Sequence, residues 1–249
     1  MIIQNLDIQL LLVEEDVTPL IVSESGWGYW GIDSSFGKKE FLSVHLMDSW
    51  ECLQHPDFRR NSQYLIKKYL DDFTPIVNTS QEADLSIVSL ELWTFMSSFF
   101  DQKIEAYDLI YSIPVYIDNM IQPIISEMRK GATNQIGNLG EKLFNDYGKL
   151  CSATETETLY VYFRLLQALF FLRTGKFIWD SRQLFDDSIV AKQILQKDNI
   201  SPETIKKDLA FIIEEINLAT KASSLPDKVP AEIQSNLLRI AQNTRSIWV

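Results

Sequence analysis

Val17-Thr-Pro-Leu-Ile-Val-Ser23 is a short β-branched run that empties into a stretch with glycines at positions 26, 28, 31 and 37. β-Branched side chains suit a buried, pleated strand, whereas closely spaced glycines supply the backbone freedom a tight turn needs. A buried strand delivering a loop is therefore expected. Glu40-Phe-Leu-Ser-Val-His-Leu46 alternates imperfectly and reads as a neighbouring strand, and Asp84-Leu-Ser-Ile-Val-Ser89 reads as a third. Ser89 is placed to cap a helix from about Leu90 to Phe100, in which Leu92, Phe95, Met96 and Phe99 fall at helical spacing.

Beyond roughly residue 104 the signals are almost entirely helical. Leu159, Phe163, Leu166 and Phe170 mark one face of a helix, and Val161, Leu165, Ala168 and Leu172 mark another. A helix apolar on both sides is central and buried. Its Arg164 must then be paired, by an ion partner within the protein or by a nucleotide. Ser201-Pro202 supplies an N-cap followed by proline at the first helical position, opening a helix with Ile205, Leu209, Ile212, Ile213 and Ile216 on one face. Ser223-Ser-Leu-Pro226 breaks that helix, and a last one carries Ile233, Leu237 and Ile240. The expected fold class is α+β: a small α/β unit over residues 1–103, then a helical half over 104–249, with a soft boundary near 103–117.

Composition narrows the function classes. A formal net charge of −11 argues against nonspecific nucleic-acid binding, which depends on phosphate neutralisation by Lys and Arg. The same acidic character suits docking onto a basic partner surface. The basic pairs Arg59-Arg60, Lys67-Lys68 and Lys206-Lys207 read as solvated faces. Two distant cysteines, Cys52 and Cys151, form no disulfide framework, and a reducing cytosol is expected. With His45 and His55 as the only histidines, a His/Cys metal cluster is not expected. Met1 to Asp7 lacks the basic start of a signal peptide, and the run Leu159 to Leu172 is interrupted by Arg164 and Gln167. A cytoplasmic protein without a membrane span is the expectation.

Residues 25–41, Ser25-Gly-Trp-Gly-Tyr-Trp-Gly-Ile-Asp-Ser-Ser-Phe-Gly-Lys-Lys-Glu-Phe41, carry the chemistry. With its order of strand, glycine turn, strand and helix, the chain resembles the predicted nucleotidyltransferases of bacteria and large phages, within the DNA polymerase β-like superfamily. That family opens approximately with Glu-Ser-Gly-Ser-Arg-x-Trp-Gly and continues with Ser-x-x-Ser-Asp-x-Asp. Glu24, Ser25, Gly26, Trp30, Gly31 and Ser34 match, and Gly37 precedes the carboxylate positions. Downstream, Asp84 with Ser89-Leu90 is similar to the family's Asp and Ser-Leu spacing. Tyr107-Asp-Leu-Ile-Tyr-Ser-Ile-Pro114 resembles a segment that leads into a strand. Phe163-Arg164 followed by Arg173-Thr-Gly175, and Ser223-Ser-Leu-Pro-Asp227, resemble two segments of the family's helical half. The resemblance implies a small mixed-sheet nucleotidyltransferase core followed by a C-terminal helical bundle.

It also implies where chemistry would lie, and the departures fall there. In such enzymes a Gly-Ser turn and backbone N–H groups hold the triphosphate, and carboxylates hold catalytic Mg²⁺. Here Trp27 stands at the family's Ser and Gly28 at its Arg. Lys38 stands at the first metal-binding Asp, Glu40 at the second and Asp84 at the third, and the family's Gly-Asn-Pro gives way to Asp101-Gln-Lys-Ile104. Two readings follow. In the first, the fold is catalytically degenerate and kept as a binding or regulatory protein with a protein partner and no cofactor. Lys38 then replaces the cation and pairs with Glu40 or Asp84. In the second, the protein is a divergent Mg²⁺-dependent enzyme that transfers a nucleotide from NTP to RNA, protein or a small molecule, with Glu40 and Asp84 as metal ligands and catalytic groups. The resemblance places Ser25, Gly26, Trp27 and Arg164 at the nucleotide. Trp27, Tyr29 and Trp30 either stack on a base or plug a pocket.

Overall fold

The computed structural model describes residues 18–32, 39–46, 76–80, 85–137, 154–198 and 200–246. Lys38, Asp84, Cys52, His55, Cys151 and the basic pairs at 59–60 and 67–68 lie outside these residues, as does the side chain of Trp27.

Strand β1, Thr18–Ser25, forms where the β-branched run predicts, with Leu20, Ile21 and Val22 all buried. It leads into a single helical turn, α1, Gly26–Tyr29. Strand β2, Lys39–Leu46, returns antiparallel to β1, with a register shift between Pro19 and Ile21. Strands β3, Ile76–Ser80, and β4, Leu85–Glu91, pair antiparallel, and β4 lies parallel to β2. Helices α2, Leu92–Phe100, and α3, Ile104–Tyr111, then lead to the four-residue strand β5, Pro114–Ile117, which pairs antiparallel with β1. The five-stranded mixed sheet has the order β3-β4-β2-β1-β5.

The remaining elements are helical: α4, Gln122–Lys130; α5, Glu155–Thr174; α6, Ser181–Phe185; α7, Ile189–Leu195; α8, Pro202–Ala222; and α9, Ala231–Ser246. The class is α+β, as expected, with a mixed sheet followed by a run of helices. Among the described residues no helix is long and apolar enough to cross a membrane.

The described residues fall into two compact units. One draws on Met1–Ser25, Lys38–Gly131 and Val229–Val249, and the other on Gly26–Gly37 and Ala132–Lys228. In the first, one sheet face meets α2, α3, α4 and α9 through a core that includes Ile21, Val44, Leu90, Phe95, Ile110, Ile124 and Leu237. In the second, α5 is the hub. Its residues Phe163, Leu165 and Gln167 have no measurable exposure, so the two apolar faces read from the sequence are both covered.

Two local expectations are corrected. The third strand runs on to Glu91, so Ser89 is not a helix cap; its hydroxyl instead lies 2.8 Å from His45 Nδ1. The cap of α2 is Glu91, whose carboxylate accepts from the Trp93 backbone N–H at 2.6 Å. Strand β3 has no counterpart in the sequence reading, whereas β5 opens at Pro114, where the resemblance suggests a strand.

Candidate functional site

Ser25, the last residue of β1, is the direct cross-strand partner of Glu40, the second residue of β2. On β4 the partner of Glu40 is Ser86. Directly opposed residues share a sheet face, with Cβ atoms usually about 5 Å apart, so Ser25 and Glu40 are neighbours on one face. Two residues further along the strands the pair is Ser23 and Leu42, and two beyond that Ile21 and Val44. The face thus passes from a dry core at Ile21 and Val44 to a half-exposed polar end at Ser25 and Glu40. That end is where a carboxylate can meet solvent and ligand without a buried-charge penalty. Ser23 is itself buried, and its hydroxyl lies 2.6 Å from that of Ser112.

The chain leaves the sheet at Ser25 and turns at once. Gly26 adopts φ +88° and Gly31 φ +75°, a backbone region in which an L side chain is strained. Between them the Trp30 N–H closes a helical turn on the Gly26 carbonyl at 3.0 Å. This explains the glycine spacing at both ends of α1.

Trp30 anchors the turn. Its ring is 7% exposed and stacks at 5.7 Å on Phe163, with Tyr160 also at 5.7 Å. The Arg164 guanidinium carbon lies 4.3 Å from the centroid of the Trp30 ring, 5.1 Å from that of Phe163 and 5.2 Å from that of Tyr160. A cation over a desolvated indole face is worth about 2 kcal/mol. Arg164 also donates to Gln167 Oε1 at 3.0 Å, and Gln167 Nε2 donates to the Ile178 carbonyl at 2.7 Å. Ser181 N–H donates to the Trp30 carbonyl at 2.9 Å. The Trp30 ring is thus buried against protein rings rather than presented for stacking on a base. Tyr29 remains half-exposed, its ring 6.4 Å from that of Trp179, which packs at 4.9 Å on Phe177.

Beside the turn, Asp180 takes a bidentate grip on Arg182, with Oδ1 accepting from Nε and Oδ2 from an Nη, both at 2.8 Å. The Arg182 hydrogen bond holds the Asp180 carboxyl below the usual carboxylate range. Asp180 also caps α6 through the Arg182 N–H. Tyr160 and Ser181 carry no sequence signal of this role, and Gln167 is marked in the sequence only as a polar interruption of the run. The spacing of Arg164 and Gln167, three apart on a helix otherwise apolar all round, was the signal available for the pair.

Of the residues the resemblance places at a site, Ser25 and Glu40 are brought together, Gly26 follows Ser25 in the chain, and Arg164 is buried among rings beneath the turn. Among the described residues no group of three or more His, Cys, Asp and Glu side chains could hold a metal ion. Glu40 is the carboxylate described at the polar end of the Ser25–Glu40 face.

No protein-family model matches the chain. No curated protein matches it either. Among solved structures, it is similar to the spectinomycin adenyltransferase AAD(9) from Enterococcus faecialis, solved with ATP and spectinomycin. The identity is 13% and the TM-score 0.44, over 84% of this chain and 96% of that one. It is also similar to a nucleotidyltransferase-like protein from Exiguobacterium sibiricum 255-15, at 11% identity and a TM-score of 0.32, over 86% of this chain and 73% of that one.

Proposed function

We propose that this protein has a nucleotidyltransferase-like core whose metal centre is degenerate, and that it acts by binding a protein partner rather than by transferring a nucleotide. The observation that carries the reading is the position of Glu40. It lies on β2 beside Ser25, just after the glycine turn has closed, where the resemblance puts the second metal-binding carboxylate. Two residues earlier in the chain the first carboxylate position is Lys38.

Replacing Asp by Lys changes the local charge by two units. At about 4 Å and an effective dielectric near 20, a unit-charge pair interacts by roughly 4 kcal/mol, so Lys38 would oppose Mg²⁺ by about twice that. On this reading the Lys38 ammonium takes the place of a cation by pairing with Glu40 or Asp84. Trp27 in place of the family's Ser removes a hydroxyl contact to phosphate. A net charge of −11 supports a partner with a basic surface, and long-range attraction would speed their encounter.

The test is incubation with radiolabelled ATP and GTP, with Mg²⁺ or Mn²⁺, followed by assays for self-labelling, RNA extension and transfer to small hydroxylated or amino acceptors. No transfer is expected. Reproducible turnover that disappears in Asp84→Ala would overturn the reading in favour of a divergent enzyme.

A further inference from the structure

The turn from Gly26 to Ile32 is short, has two glycines in the left-handed region and closes a main-chain bond from Trp30 N–H to the Gly26 carbonyl. One helical turn is far below the length at which a helix holds itself in water. Its shape must therefore come from what it packs against. That support is specific: the Trp30 indole lies against the rings of Phe163 and Tyr160 with the Arg164 guanidinium over its ring, and the Trp30 carbonyl accepts from Ser181.

Arg164 is 3% exposed. Its planar guanidinium can stack on an indole and still donate in its own plane, as it does to Gln167, which in turn holds the Ile178 carbonyl. Gln167, through Arg164, and the Ser181 N–H, on the Trp30 carbonyl, thereby tie the 178–181 segment to Trp30. Gly31 completes the fit. A Cβ there would lie 3.4 Å from Arg182 Nε and Asp180 Oδ1 and 3.5 Å from Ser181 Oγ, so the segment closes directly over the turn.

We propose that Arg164 is the positioning residue of the glycine turn: it acts through Trp30 to set the conformation of residues 26–32 and does not itself touch a ligand. The inference deepens the nucleotidyltransferase-like reading, in which this turn is the ligand-facing loop, and rests on that reading only for what the turn faces.

Hydrogen exchange tests the positioning directly, because the Trp30 and Ser181 amides are both hydrogen-bonded reporters of the docked turn. In Arg164→Lys, which keeps the charge and loses the planar stack, both amides should exchange about tenfold faster or more, with amides in the middle of α5 unchanged. Trp30→Leu should free the Ser181 amide to the same extent, and Trp30→Phe, which keeps a ring face, should largely restore its protection. Unchanged exchange at these two amides in folded Arg164→Lys would overturn the proposal. So would uniform acceleration along the whole of α5, which marks a merely structural loss. Should Arg164→Lys fail to fold, Trp30→Leu decides: a Ser181 amide that stays protected refutes the inference. Nucleotide transfer by the wild-type protein would sink the binding-protein reading and leave the exchange result intact.

Discussion

A carboxylate and a glycine show how single residues are constrained in this chain. Glu127 is buried and accepts from Lys130 Nζ at 2.8 Å and from Asn236 Nδ2 at 2.9 Å. The Lys130 hydrogen bond, and after it that of Asn236, lower its pKa below the ordinary carboxylate value. A lowered folded-state pKa stabilises the protein above the unfolded-state value, and that contribution is lost as pH falls through the folded value. Thermal melts should therefore show Glu127→Gln less stable than wild type near neutral pH, with the gap closing as pH falls below about 4. A gap that widens toward acid would contradict the assignment. Gly137 is constrained by space: a Cβ there would overlap Thr220 Oγ1 and come within 3.2 Å of Ile216 Cγ2. Gly137→Ala should cost about 1–3 kcal/mol in urea unfolding. Gly31→Ala meets only ordinary contacts but keeps φ +75°, and should cost about 1–2 kcal/mol from backbone strain alone.

Among the elements, α5 shows what a helix needs when propensity does not decide it. Thr154 and Glu157 form a reciprocal capping box: Glu157 N–H donates to Thr154 Oγ1 at 3.2 Å, and Thr154 N–H donates to Glu157 Oε2 at 2.7 Å. Thr154→Ala should cost about 1 kcal/mol. Phe163→Ala should cost about 3–5 kcal/mol, since it empties a site with no exposure and undercuts Trp30. Equal penalties for the two variants in urea unfolding would mean that α5 is not the packing hub. The double apolar face of α5, the Ser201-Pro202 start of α8 and its end before Ser223 were all legible from side-chain spacing, as were β1 and β2. β5 was not. It is four residues long, opens with proline and alternates half-buried and exposed positions, too short a window for a period of two to register. The misplaced cap has a related cause. Ser89 is the stronger capping type, but its hydroxyl is taken by His45 from the neighbouring strand, a contact across 44 residues that no local pattern displays. The glycine turn could be read as a turn. Its docking on Trp30 and Arg164 could not, because it joins residues more than 130 positions apart through ring geometry.

At the scale of the whole molecule, the two compact units interleave along the chain. The sheet unit recruits α9 from the C-terminal region, and the helical unit recruits the glycine turn from between β1 and β2. Only linear boundaries can be drawn from composition, whereas contacts follow the folded chain. This interleaving places Ser25 and Gly26, consecutive residues, in different units. The proposed reading turns on Lys38, whose ammonium would oppose a divalent ion at the first carboxylate position. The most direct measurement is Mn²⁺ binding followed by electron paramagnetic resonance, with a non-hydrolysable ATP analogue present, on wild type and on Lys38→Asp. The wild-type protein should bind no Mn²⁺ beyond what the nucleotide alone holds, and Lys38→Asp should bind it measurably. Two Mn²⁺ ions on the wild-type protein, lost in Asp84→Ala, would contradict the account.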